Sequence, residues 1–210
     1  MRGKGGKARP TRRLPPGPHG LPPDLVARNQ RERLIAAMAE ECAERGYAET
    51  SVAEVARRAG VSTASFYRQF KDRRECMLAS FEELCGRLIE TIEGRCADEA
   101  DPDRRARAGI RMAAELLGGD LPTARLLTVE IVAAGQEGVR VQQAAIERLA
   151  TLLRKARGVD GASPAPPPAG PEWIAVAAMV TLVAGRTIEV DAATAEELEA
   201  VLAACNVADT

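Results

Sequence analysis

Apolar positions recur every three or four residues along most of the chain, and no stretch alternates as a strand would. The pattern predicts an all-α protein of about nine helices. The first runs from about Asp24 or Arg28 to Arg45, with Leu34, Ile35, Met38, Ala39 and Cys42 inside, and Gly46 ends it. Two short helices follow within Ser51–Phe70. Asp72 and Glu75 form a capping box that opens a long helix to about Cys96, striped by Met77, Leu78, Phe81, Leu84, Leu88 and Ile92. The next helix starts at Pro102 or Asp103, buries Ile110, Met112, Ala113, Leu116 and Leu117, and stops at Gly118-Gly119-Asp120. Pro122 suits the first turn of a helix that carries Leu126, Leu127, Val129, Ile131 and Val132. Val139 to Arg157 is amphipathic, and the proline-rich Gly158–Pro171 reads as a linker. Glu172 to about Glu189 is apolar nearly all round, so it must be buried on more than one side. Thr194 and Glu197 cap a short last helix.

The stretch Ser51–Phe70, SVAEVARRAGVSTASFYRQF, organises the rest. Ser51 and Glu54 have capping-box spacing, and Val52, Val55, Ala56 and Ala59 form one apolar face. Gly60 supplies the left-handed residue that reverses the chain, Val61 plugs the angle, and Ser62 caps the second helix. Phe66 and Phe70 share a face that turns inward. Thr63, Ala64, Tyr67 and Arg68 share another, carrying hydroxyl, methyl, phenol and guanidinium. A capped helix pair with this division is a helix-turn-helix, whose second helix enters the major groove of DNA.

The run from Gly46 to Leu78, GYAETSVAEVARRAGVSTASFYRQFKDRRECML, resembles the DNA-binding signature of TetR-type (TetR/AcrR-like) transcriptional regulators. Gly46-Tyr47, Ser51-Val52, Val55-Ala56, Ala59-Gly60-Val61-Ser62, Phe66-Tyr67, Phe70-Lys71 and Glu75 carry the match. Thr63, Ala64, Gln69 and Arg73 depart from it, which leaves the docking mode alone and the operator sequence open. The resemblance implies an N-terminal three-helix bundle over 24–71, preceded by a tail over 1–23. It implies a C-terminal effector-binding and dimerisation domain over 72–210. It further implies a homodimer on a palindromic operator, paired through the last two long helices and released by a small-molecule effector, most often as a repressor.

Charge sharpens this division. Through Glu75 the chain holds 16 Lys+Arg against 9 Asp+Glu, and the remainder holds 13 against 21, so a polyanion partner belongs to the N-terminal part alone. The tail carries Arg2, Lys4, Lys7, Arg9, Arg12 and Arg13 with no acid before Asp24. It reads either as a solvated end or as an arm that tracks phosphates. No apolar run reaches bilayer length and no export signal is visible, so the protein is expected in the cytoplasm. Cys42, Cys76, Cys85, Cys96 and Cys205 form no C-x-x-C pair, and the only histidine, His19, lies in the tail. No metal or other cofactor is expected, and the thiols read as small apolar side chains.

The candidate DNA contacts are Ser51, Ser62, Thr63, Ala64, Ser65, Tyr67, Arg68, Lys71 and Arg73. Within this set, Arg68 is the candidate for bidentate guanine recognition and Ala64 for a thymine methyl. Ser51, Ser62, Lys71 and Arg73 are candidates for phosphate. Arg28, Arg31 and Arg33 crowd the start of the first helix and face either the DNA backbone or solvent. For the effector, Met112, Leu116, Leu127, Ile131 and Trp173 are candidate apolar lining, with Glu115, Glu130 and Arg125 as polar contacts. Ordinary packing is the competing reading for each. An enzyme would need a placed nucleophile and base. No histidine lies outside the tail, and no G-x-S-x-G, P-loop or dinucleotide pattern occurs, so catalysis is not expected. An architectural DNA-binding protein without an effector is the remaining alternative, and a fully packed C-terminal core would favour it.

Overall fold

A computed structural model of the protein describes residues 22–158 and 171–185. These residues are helical throughout, with no strand among them. The order is α1 (Pro23–Arg45), α2 (Val52–Ala59), α3 (Thr63–Gln69), α4 (Arg73–Cys96), α5 (Pro102–Gly119), α6 (Leu121–Thr128), a 3-10 turn (Glu130–Ala134), α7 (Gln136–Ala156) and α8 (Pro171–Gly185). The basic tail, His19, most of the proline-rich stretch, Ile188, the capping pair Thr194 and Glu197, and Cys205 lie outside the described residues.

Helix ends follow local chemistry. Ser51 accepts from the Glu54 N–H while the Ser51 N–H donates to Glu54 Oε2, which completes the capping box. Gly60 is left-handed, at φ 63 and ψ 38, and its N–H and that of Val61 reach back to close the end of α2. Asp72 Oδ1 accepts from the Glu75 N–H at 2.8 Å to start α4. Asp120 ends α5 and caps α6 at once, accepting from the Thr123 N–H and from its hydroxyl.

One continuous core joins the whole. Leu34, Ile35, Met38 and Cys42 of α1 meet Val55, Ala56, Phe66 and Phe70 of the short helices and Cys76, Met77 and Phe81 of α4. The same α1 also packs against α6, so the first three helices rest on the C-terminal helices rather than on α4 alone. A buried ion cluster ties α2 to α1. Glu41 is fully buried and accepts from Arg58 Nε at 2.6 Å. Arg58 also reaches Glu40 and Glu44, and Arg45 bridges Glu54 at 2.8 Å.

Two boundaries differ from the pattern. The helix expected to run from Pro122 through Val132 breaks after Thr128. Gln142 Nε2 takes the Leu127 and Thr128 carbonyls at 3.2 and 3.1 Å, and the chain tightens into the 3-10 turn. The amphipathic helix α7 begins at Gln136, three residues before the apolar stripe shows itself, because its first turn packs on that 3-10 turn.

Candidate nucleic-acid interface and effector pocket

On α3 the predicted division of faces holds. Phe66 and Phe70 are 0% and 2% exposed with ring centroids 5.6 Å apart, whereas Tyr67 is 59% exposed. Burial of each phenylalanine is worth about 1.5–3 kcal/mol, so the helix cannot roll its polar face inward. Ser62, Thr63, Ala64, Tyr67 and Arg68 all lie exposed on one side. Tyr67 is held by its ring edge against Phe66 at 5.5 Å between centroids. Arg68 Nη2 donates to Ser65 Oγ at 2.7 Å, and Ser65 Oγ lies 3.0 Å from Ser62 Oγ. Ser65 itself is buried, and its hydroxyl serves to orient Arg68 rather than to face outward.

The basic residues divide into engaged and exposed. Lys71 is exposed, and only its backbone N–H is occupied, by Glu75. Arg73 is half-buried. Its guanidinium lies 4.3 Å over the Tyr47 ring and donates to the carbonyls of Tyr47, Ala48 and Thr50. Arg31 stacks 4.7 Å over Phe70 and bridges Glu83 at 3.7 Å, and Arg33 donates to the Ala59 and Gly60 carbonyls at the end of α2. Charge alone had made these arginines candidates for phosphate, whereas the fold uses Arg31, Arg33 and Arg73 as braces. Hydrogen bonds from Ser51 hold the Glu54 carboxyl below its usual range, and burial pushes the Cys42 and Cys76 thiols up to about 12.

Between α4, α5, α7 and α8 lies an apolar pocket of about 290 Å³. Its walls are Ile89 and Ile92, Ala106, Gly109, Ile110 and Ala113, Leu149, Leu152 and Leu153, and Ala175, Val176 and Met179, with Glu93, Arg105 and Lys155 at its margin. None of the eight residues expected to contact an effector is among them. Met112 and Glu115 line a separate, highly charged cavity of about 410 Å³ with Glu99, Arg104, Arg107 and Arg111. Leu127 and Ile131 are packed in the core, Leu116 and Trp173 are half-buried elsewhere, and Glu130 is buried against the turn after α1. The walls on α4 and α7 are chiefly isoleucine and leucine, and small residues on α5 and α8 leave the space between them. The signal in the sequence was the stripe Ala106, Gly109, Ile110, Ala113 at helical spacing, facing Ala175 on α8.

Residues 34–79 match the family model of the bacterial regulatory proteins of the tetR family. Residues 34–79 are thus a TetR-family domain, spanning α2 and α3 with the flanking parts of α1 and α4. Over 99 residues it is 29% identical to the fatty acid metabolism regulator protein of Bacillus subtilis (strain 168), an alignment covering 47% of this chain and 51% of that protein. The match thus spans about half the length of that curated relative. The TetR-type architecture extends further in solved structures. FadR, a fatty acid degradation regulator from Bacillus halodurans, superposes with a TM-score of 0.66 at 18% identity, over 82% of this chain and 94% of that one. FadR from Bacillus subtilis in complex with stearoyl-CoA gives 0.65 at 19% identity, over 81% and 96%. A TetR-like regulator from Rhodococcus sp. RHA1 gives 0.65 at 21% identity, over 90% and 100%. At these identities the likeness is one of fold. The described residues include no helix long and apolar enough to cross a membrane.

Proposed function

We propose that the protein is a sequence-specific DNA-binding transcriptional regulator of the TetR type that an apolar small molecule releases from a palindromic operator. The observation that carries the reading is the exposed row Thr63, Ala64, Tyr67 and Arg68, fixed above the buried Phe66 and Phe70. Such a helix presents base-reading groups at its outer face, with Lys71 beside it for phosphate. Ser51 and Ser62 cap helices and Arg73 braces a turn, so their part in DNA binding is to hold the reading face in place.

A single recognition helix reads few base pairs, and a homodimer doubles the readout. The apolar surface of α8, with Ile174 half exposed and Trp173, Val180 and Leu182 half-buried, supports pairing through α7 and α8. The working division is residues 24–71 for DNA and 72–210 for effector and dimer, in the cytoplasm where operators are.

The pocket favours a ligand with an apolar body; at its margin Glu93 is acidic and Arg105 donates to the Glu99 and Ala100 carbonyls, so Lys155 is the cation that an anionic head would meet. The stearoyl-CoA complex of the similar FadR supports a fatty acyl thioester as that class. An effector releases DNA only by binding the released arrangement better, and about 5.5 kcal/mol moves a balance from 1:99 to 99:1. A cavity of about 290 Å³ within the C-terminal helices speaks against the architectural alternative, which a fully packed core would favour.

The test is selection of bound duplexes from a random pool, with and without stearoyl-CoA. A palindrome with half-sites about one helical turn apart, lost from the bound fraction when stearoyl-CoA is added, is the expected outcome. Sequence-blind binding would favour the architectural reading.

A further inference from the structure

Glu130 stands where three parts of the molecule meet. It opens the 3-10 turn after α6, and its side chain is 8% exposed. Oε2 accepts from the Tyr47 N–H at 2.7 Å, across 83 residues of chain, and Oε1 accepts from Arg125 Nε at 3.0 Å. Tyr47 follows Gly46, whose φ of 79 and ψ of 155 turn the chain out of α1. The Tyr47 and Ala48 carbonyls accept from Arg73, the first residue of α4. The short segment Gly46–Ala48 is therefore clamped from one side by Glu130 and from the other by Arg73. That segment leads into α2 and so sets the angle at which the reading helix sits.

The same turn is gripped from the pocket side. Gly138 in the first turn of α7 lies so close to it that a Cβ there would stand 2.0 Å from the Ile131 carbonyl oxygen. One turn further on, Gln142 holds the Leu127 and Thr128 carbonyls. Further along α7, Leu149, Leu152 and Leu153 form a wall of the pocket. A contact between backbones has no side chain to absorb a shift, so a displacement of α7 passes to the residue next to Ile131, which is Glu130.

We propose that Glu130 is the positioning residue that couples the pocket to the DNA-reading helices. With the pocket empty, its carboxylate locks the Tyr47 amide and the operator-binding angle. An occupant that displaces α7 withdraws the carboxylate and frees the turn. This rests on the reading of pocket and reading face given above, and residue-level coupling is what it adds.

The experiment compares the full chain with Glu130→Ala and Glu130→Gln. It reads amide exchange at 46–48 by mass spectrometry, affinity for a duplex from the random-pool selection, and release of that duplex by stearoyl-CoA. Wild type should show within 46–48 a protected Tyr47 amide that exchanges faster once stearoyl-CoA is bound. Glu130→Ala should exchange fast without ligand, bind the duplex about tenfold more weakly, and show less than about twofold further release by stearoyl-CoA. Glu130→Gln keeps an acceptor for Tyr47 and should fall between the two, and it carries the comparison should the alanine variant not fold. A general loss of stability would lower affinity but leave the ratio of release intact, so the ratio separates coupling from mere structure. A folded Glu130→Ala with wild-type protection at 46–48, or with wild-type affinity and release, overturns the proposal. A wild type that binds no duplex or ignores stearoyl-CoA counts against the proposed function instead, and the exchange comparison alone then decides on Glu130.

Discussion

The Nε of Arg58 on α2 donates to Oε1 of Glu41 on α1 at 2.6 Å, and that carboxylate is fully buried. Arg57 and Arg45 lie farther off, at 3.7 and 3.4 Å, so Arg58 is the main partner of a charge that cannot reach water. Its guanidinium is pushed up above the usual arginine value by the hydrogen bonds it donates to Glu44 and then to Glu41. Arg58→Ala should therefore destabilise the protein by about 2–3 kcal/mol in urea unfolding, below the full cost of orphaning a buried charge because two arginines remain. In a Glu41→Gln background the same change should cost about 1 kcal/mol less. Equal costs in both backgrounds would show that Arg58 acts through Glu40, Glu44 and packing rather than through Glu41.

The pocket gives a second prediction, from two glycines in helices. A Cβ on Gly109 would touch Ile92 Cγ2 at 3.5 Å inside the pocket, whereas one on Gly86 meets nothing within 4 Å. Both Gly→Ala changes should raise stability by about 0.5–1 kcal/mol, because helical glycine costs backbone entropy. Only Gly109→Ala should weaken stearoyl-CoA binding, by about tenfold if the ligand fills the space beside Ile92. Thermal melts and titration of both variants check this, and equal ligand affinity would place the ligand elsewhere.

What the sequence made legible was local. Ser51 with Glu54, Gly60, Ser62, and the pair Phe66 and Phe70 are all set by neighbours within four residues, and the helix-turn-helix follows from them. Those features also delimit the faces of α3, so its exposed row was foreseeable. The break after Thr128 was not, because Gln142 and Glu130 impose it through partners 14 to 83 residues away. The pocket stayed hidden for a different reason. Periodicity marks a residue as inward without saying whether it fills the core or lines a cavity: Ile131 and Leu127 pack in the core, while the equally apolar Ile110 and Leu153 line the pocket beside Ala106, Gly109, Ala113 and Ala175. Ser65 was counted with its exposed neighbours although its position, one before Phe66, turns it inward.

The buried thiols give a third prediction. Desolvation pushes Cys42 and Cys76 up to about 12, against an ordinary value of 9.0, so the thiolate fraction near neutral pH falls about a thousandfold. Neither should react with iodoacetamide in the native protein over hours at pH 8, and both should label at once in urea. Mass mapping of the alkylated peptides checks this. Native labelling at Cys42 or Cys76 would revive a redox role for them.

Lys71 and Arg73 are two residues apart and both basic, and the structure separates their duties. Lys71 is exposed two residues after the end of α3, while Arg73 gives its donors to Tyr47, Ala48 and Thr50 and stacks on the Tyr47 ring. Lys71→Ala should leave unfolding unchanged, weaken binding to every duplex alike, and reduce the salt slope by about 1 per protomer. Arg68→Ala should instead relax preference at one base pair, at about 1–3 kcal/mol of discrimination. Arg73→Ala should cost about 2 kcal/mol of folding stability, since it strands carbonyls of a buried turn and loses a cation–π contact. Arg73→Lys should restore only part of it, because an ammonium can donate to the same carbonyls from one nitrogen but cannot lie flat on the Tyr47 ring. The discriminating measurement is the salt slope of duplex affinity at a temperature where all variants are folded. If Arg73→Lys keeps full stability, the bracing role assigned to the guanidinium is wrong.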